Sequence, residues 1–282
     1  HAVYDRYGVV PTYVIDYPVA TSRAAVAYLC GLVDAGRAQI GTHCHPWVNP
    51  PHDEAVTRYN SYHGNLPPEL EAAKIATVTD AIAQSFGMAP WIFKAGRYGI
   101  GAATLDTIAA LGYRLDCSLV PHSSFAADGG PDFHGLCDRP FYVDPARTLF
   151  EVPLTMGFSG AVAGLGPSLS RLCDNASAIR ARVPGVLSRL GLLERARLSP
   201  EGASAAEQIR LLKAMIARGH RLFSLTYHSP SLAPGHTPYV RSEAERDRFV
   251  ATIETVLRTF RDELGGGFTT LAAVDAAARG RA

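Results

Sequence analysis

Short β-branched or aromatic runs alternate along this chain with longer stretches of helical periodicity, and no other feature constrains the fold as much. The run 9–16, Val-Val-Pro-Thr-Tyr-Val-Ile-Asp, reads as a buried strand, and an alanine-rich helical stretch over 21–35 separates it from a second strand at 40–43. Leu70, Ile75, Val78, Ile82 and Phe86 recur at helical spacing, with Gly87 as a stop. A strand at 91–94, a helix face of Leu105, Ile108 and Leu111, and strands at 112–118 and 149–154 follow. The region 161–200 is expected to be mostly helical. Ile209, Leu212, Met215 and Ile216 then build an amphipathic helix that feeds a strand at 222–227, and a last long helix spans roughly 242–264. The pattern predicts an α/β fold, a parallel sheet or barrel with helices outside, as one domain over residues 1–282.

Composition narrows the function classes. With 27 basic and 26 acidic residues the net charge is +1, and no basic and aromatic stripe appears, so a nucleic-acid partner is not expected. Five irregularly spaced cysteines (Cys30, Cys44, Cys117, Cys137, Cys173) form no zinc-knuckle or redox motif and read as reduced thiols. No run reaches membrane-spanning length and no signal peptide is visible, which makes a cytoplasmic location the expectation.

Two imidazoles, His43 and His45, leave the second strand at a proline-rich turn. Alternate strand residues face opposite ways, but at a frayed end the Pro46 turn can bring both rings to one site. Such a pair supplies nitrogen ligands for zinc or a similar divalent ion, with a third ligand needed from elsewhere. The segment 46–68 holds five prolines and little hydrophobic periodicity, so it is expected to be a loop that walls a substrate site. Asp16, Lys94, Arg97, Asp116, Glu151 and His228 stand at other strand ends, which lie on one face of a parallel barrel. A metal with an acid and a base at one mouth suits hydrolysis of an acyl bond, and His228 is the natural proton donor. Each residue also has a structural alternative: His228 as a ring bonded to the loop after it, Asp116 as a cap, Glu151 as a backbone anchor.

Five segments together resemble the polysaccharide deacetylase family with the NodB-homology domain, and more closely its WalW-like subgroup. They are Tyr7-Gly-Val-Val-Pro-Thr-Tyr-Val, Ile40-Gly-Thr-His-Cys-His-Pro-Trp-Val, Phe93-Lys-Ala-Gly-Arg-Tyr-Gly with Gly112-Tyr-Arg-Leu-Asp-Cys-Ser, Glu151-Val-Pro-Leu-Thr, and Leu225-Thr-Tyr-His-Ser-Pro-Ser-Leu with Pro234-Gly-His-Thr-Pro-Tyr-Val. The resemblance implies a distorted or incomplete (β/α) barrel that removes acetyl groups from an N-acetylated carbohydrate. It also implies a divalent metal, expected to be Zn2+, held by an aspartate and two histidines, with a second aspartate as base and a late histidine as acid. His43 matches the first metal histidine. The second usually lies four residues on, where this chain has Trp47, so the role falls to His45, with His52 in reserve. His228 lies in the segment matching the acid motif. Lys94 stands where the family has an arginine that orients the base, with Arg97 three residues later, and lysine lacks the planar fork. The family's early acidic segment would precede the strand containing Thr12, and the sequence is expected to lack it. Asp16 follows the matched strand and is no substitute. Trp47, Tyr98, Phe158 and Tyr239 are candidate platforms for sugar rings, or core residues. The alternative function is a non-catalytic carbohydrate-binding or assembly protein on the same fold.

Overall fold

The structure, a computed structural model, describes residues 1–280. Helix α1 (Ala2–Tyr7) ends at Gly8 and leads into strand β1 (Thr12–Ile15). Asp16 then caps α2 (Tyr17–Thr21), its carboxylate accepting the Val19 N–H at 3.2 Å, and Ser22 caps α3 (Arg23–Asp34). Two capped helices therefore replace the single one expected over 21–35, because Asp16 and Ser22 each start a new turn. Next come β2 (Gln39–Cys44), α4 (Pro68–Phe86), β3 (Ile92–Ala95), α5 (Thr104–Ala110) and β4 (Leu115–Asp116), the alternation read from the sequence. β5 (Phe141–Tyr142) and β6 (Phe150–Glu151) complete a six-stranded sheet of order β1-β2-β3-β4-β6-β5, parallel except for β5.

The apolar stripe of α4 is what holds this sheet from behind. Ile75, Val78 and Ile82 are buried, Val78 and Ile82 with Ile15, Leu29 and Leu32, and Ile75 with Phe93, Ala95 and Ile108. Each such side chain contributes about 1.5–3 kcal/mol by leaving water. The buried Tyr113 hydroxyl meets Thr42 Oγ1 of β2 at 2.6 Å and Thr79 Oγ1 of α4 at 2.7 Å, which fixes the helix along the strand.

Beyond β6 the architecture changes. β7 (Met156–Ser159) pairs antiparallel with β8 (Glu194–Arg197), and α6 (Gly166–Asp174), α7 (Ala176–Arg180) and α8 (Val183–Arg189) lie between them. The sequence reading of 161–200 as mostly helical misses β8, because Glu-Arg-Ala-Arg has no apolar alternation and becomes a strand only by pairing with β7. Helix α9 (Ala205–Ala217) opens on a Ser204/Glu207 capping box, and α10 (Glu243–Asp262) and α11 (Leu271–Ala278) complete the chain.

The strand expected at 222–227 is a correction. Ser224 N–H donates to Thr155 Oγ1 at 2.7 Å and Thr226 N–H to the Leu198 carbonyl at 3.2 Å, but the segment joins no ladder. β1 is the edge of its sheet and is not hydrogen-bonded to this segment. The result is an α/β fold with a mostly parallel, barrel-like sheet that does not close.

Candidate active site

Parallel register sets the histidine side of the site. His43 of β2 lies beside Lys94 of β3, and its Nδ1–H donates to the Lys94 carbonyl at 2.7 Å. A carbonyl only accepts, so the proton of a neutral ring sits on Nδ1 and Nε2 keeps its lone pair. The Pro46 turn places the His45 ring edge-on to His43, with centroids 4.5 Å apart. Gly96 makes this possible, because a Cβ there would lie 2.4 Å from His45 Nδ1 and 2.3 Å from the Cys44 carbonyl. Burial, then the neighbouring His45, holds His43 well below the ordinary histidine value. Burial, followed by His228 and His63, lowers His45 to about 4. Both rings are therefore neutral at physiological pH, the form that ligates metals.

The turn after His45 is fastened around a buried lysine. Lys74 Nζ donates to the carbonyls of Pro46 at 3.0 Å, Asn49 at 2.8 Å and Pro51 at 2.5 Å, and pairs with Glu54 at 2.9 Å. Trp47 emerges from this turn, 38% exposed, with its ring 4.4 Å from that of His45. The rest of 46–68 is loop apart from one short turn of 3-10 helix at His63–Asn65. His52 is exposed on that loop, whereas His63 is buried with Nδ1 2.7 Å from Glu71.

Next to the histidines, Asp116 and Glu151 occupy paired positions on β4 and β6, both fully buried. Asp116 accepts from Cys117 N–H at 2.9 Å and Ser118 Oγ at 2.5 Å, while Glu151 accepts from Leu119 N–H at 3.1 Å. Burial raises both, and the adjacent Asp116 pushes Glu151 further, well above the usual carboxylate range. The pair therefore favours holding a proton, more strongly at Glu151 than at Asp116. Lys94 Nζ donates to the Cys117 carbonyl at 2.7 Å and is lowered to about 8 by burial, against the pull of Asp116 and Glu151. Arg97 does not join it. Its guanidinium lies over the Tyr62 ring at 4.3 Å and reaches Ser61 Oγ, Tyr62 Oη at 2.9 Å and Asp128 at 3.3 Å, so it pins the loop wall.

The opposite side of the mouth carries His228. Its side chain is 60% exposed, and Nδ1 donates to Glu201 Oε2 at 2.8 Å. Glu201 also accepts the His228 N–H at 3.0 Å and Ser231 Oγ at 2.7 Å. Burial raises the Glu201 carboxyl, but these hydrogen bonds outweigh it and the net shift is downward. His228 in turn pushes His43 and His45 further from protonation, so its charge is felt at both rings. Tyr98 Oη accepts from Arg197 Nη1 at 3.0 Å, and Tyr239, 46% exposed, lies close to Gly202 and acts on Tyr98. Phe158 is 1% exposed and packs with Ala163 and Leu193, which removes it as a sugar platform.

Glu201 and Arg197 are the two site residues that sequence reasoning missed. Neither has a periodic neighbour to mark it: Glu201 lies in a loop, and Arg197 in a stretch read as helical. As a metal centre the constellation is half a site. His45 Nδ1 is buried without a partner, and His43 presents a free Nε2. Among the described residues, however, no group of three or more His, Cys, Asp or Glu side chains can hold a metal ion.

No family model matches the chain, and no curated protein matches it. Its fold is similar to the crystal structure of a Mycobacterium smegmatis protein assigned as a polysaccharide deacetylase, with a TM-score of 0.57 and 14% identity over 99% of this chain and 75% of that one. The likeness is one of fold alone, an α/β architecture whose barrel-like sheet stays open in this chain.

Proposed function

We propose that this chain catalyses hydrolysis of the acetamide of an N-acetylated sugar or polysaccharide. The observation that carries the reading is the meeting, at one mouth, of two imidazoles kept neutral and a third ring oriented by a carboxylate. On this reading His43 and His45 would hold a divalent ion, for which zinc suits the imidazole donors. Such an ion, when bound, would supply Lewis acidity at the acetamide carbonyl. The described residues place no third ligand beside these rings, so the proposal requires a carboxylate from outside them.

The chain's own residues do the rest. Glu201 holds the His228 ring by Nδ1, which leaves Nε2 toward the mouth to protonate the departing amine. Lys94 places a cation beside the Asp116/Glu151 pair, and Arg97 keeps the 46–68 wall in place. Trp47 and Tyr239 offer exposed ring faces for the sugar, whereas the Tyr98 ring packs against Phe125 and under Lys94. The test is acetate release from N-acetylglucosamine oligomers by the full-length protein, with metal content measured on the same sample. No acetate from protein that binds metal at His43 and His45 sinks the reading.

The second reading, a non-catalytic carbohydrate-binding protein, is favoured by the missing third ligand. It predicts sugar affinity that survives metal removal unchanged, and no acetate release.

A further inference from the structure

β8 carries Arg197 to the mouth, and its charge there is unmatched. Arg197 lies opposite Met156 in the β7/β8 ladder and donates through Nη1 to the neutral Tyr98 phenol at 3.0 Å. Among the described residues, no carboxylate lies within ion-pairing distance of it. Most other half-buried arginines meet a carboxylate: Arg195 grips Asp174 at 2.6 and 2.8 Å, Arg97 reaches Asp128, Arg114 and Arg279 meet Asp275 and Arg246 meets Asp247, whereas Arg218 donates to the Phe158 carbonyl at 2.9 Å and, like Arg197, has no carboxylate partner among the described residues. A second cation sits on the same tyrosine, since Lys94 Nζ lies 4.9 Å from the centroid of the Tyr98 ring whose hydroxyl takes Arg197. Nearby acids are already engaged. Asp116 faces Lys94 and shares a site with Glu151, and the Glu201 oxygens are taken by His228 and Ser231.

Partly buried cations without counter-charge are costly, and a mouth that keeps one is complementary to an anion brought by its ligand. With Nη1 on Tyr98, the guanidinium retains Nε and Nη2 as a fork, the geometry that a carboxylate accepts with two parallel bonds. Tyr98 holds one edge of that guanidinium through its hydroxyl. We infer that Arg197 is an anion subsite of the mouth and that the N-acetylated saccharide carries a carboxylate on or next to the unit held there. The inference rests on the proposed sugar specificity but not on catalysis.

Calorimetry on the full-length protein tests it with three probes: N,N′-diacetylchitobiose, the same disaccharide oxidised to a carboxylate at C6, and its C6 sulfate. The carboxylate form is expected to bind roughly 10- to 100-fold more tightly than the neutral sugar, the advantage shrinking as salt rises. Arg197→Gln is expected to abolish that advantage and Arg197→Lys to keep part of it. Tyr98→Phe, which frees Nη1 without removing charge, should preserve it. Equal affinity for neutral and carboxylate forms overturns the inference, as does an advantage that survives in a folded Arg197→Gln protein. Tighter binding of the sulfate than of the carboxylate overturns the assignment of the anion. If Arg197→Gln fails to fold, the wild-type preference and Arg197→Lys still decide. Acetate release is followed in parallel. Carboxylate preference without acetate release sinks the deacetylase reading alone, whereas acetate release with equal affinities sinks the anion subsite alone.

Discussion

The two sides of the mouth use the same side chain in opposite settings. His43 and His45 are packed at the exit of a parallel strand, one ring donating to backbone, with burial holding both neutral. His228 stands 60% exposed at the end of an extended segment, paired with the buried carboxylate of Glu201. The difference teaches that environment, not residue type, sets the state of each ring: a dry, dense surround keeps His43 and His45 neutral, as the proposed ligand role needs, and a solvated ring beside a carboxylate suits the proton delivery proposed for His228.

The largest effect should come from the exposed side. His228→Ala is expected to cut acetate release by roughly 100- to 10,000-fold, with metal content and thermal unfolding near wild type. A variant that releases acetate normally would erase the division of labour between the two sides. On the histidine side the expected effect is on stability instead. Lys74→Met strips the hydrogen bonds of three carbonyls and leaves Glu54 buried without its partner, at a cost of roughly 3–5 kcal/mol in denaturant unfolding. Glu201→Ala, the matching change opposite, should cost about 1–3 kcal/mol while lowering turnover. If both losses come out equal, the contrast between a fastened and an open side fails.

Acid titration of metal-free protein sharpens the comparison. His45 is lowered from 6.5 to about 4, so the unfolded chain takes up its proton first. Its contribution to stability is therefore complete above pH 6.5 and is lost as pH falls toward about 4. Glu201 is a lowered acid, and its contribution is lost only as pH falls through its own folded value, below the ordinary glutamate range. His43 is lowered as well and contributes to the same fall, so His45→Gln should reduce the slope of the upper part of the unfolding curve without removing it and leave the lower part. An unchanged upper part would show that burial does not hold His45 neutral. The smallest effect is at Asp16, whose loss in Asp16→Ala should cost about 0.5–2 kcal/mol by uncapping α2 and leave metal affinity untouched. A fall in metal content would make Asp16 a ligand.

The sequence by itself determined the order of the elements. Apolar spacing at Ile75, Val78 and Ile82 specified α4, and the β-branched runs specified β1 to β3, because local periodicity encodes which face is buried. It also marked the strand ends at His43, Lys94, Asp116 and Glu151, where parallel register sets His43 beside Lys94 and Asp116 beside Glu151. Tertiary structure decided the rest. β8 exists only because β7 pairs with it, and 222–227 stays outside any ladder because no neighbouring strand completes it. Lys94 and Arg97, three residues apart, have different partners because β3 ends at Ala95 and Arg97 sits at a positive φ of 52° in the turn that follows. Glu201 meets His228 across 27 residues, and Arg197 meets Tyr98 across 99, through separate elements. Contacts of that range leave no local period in a chain, so only the packed fold can specify them.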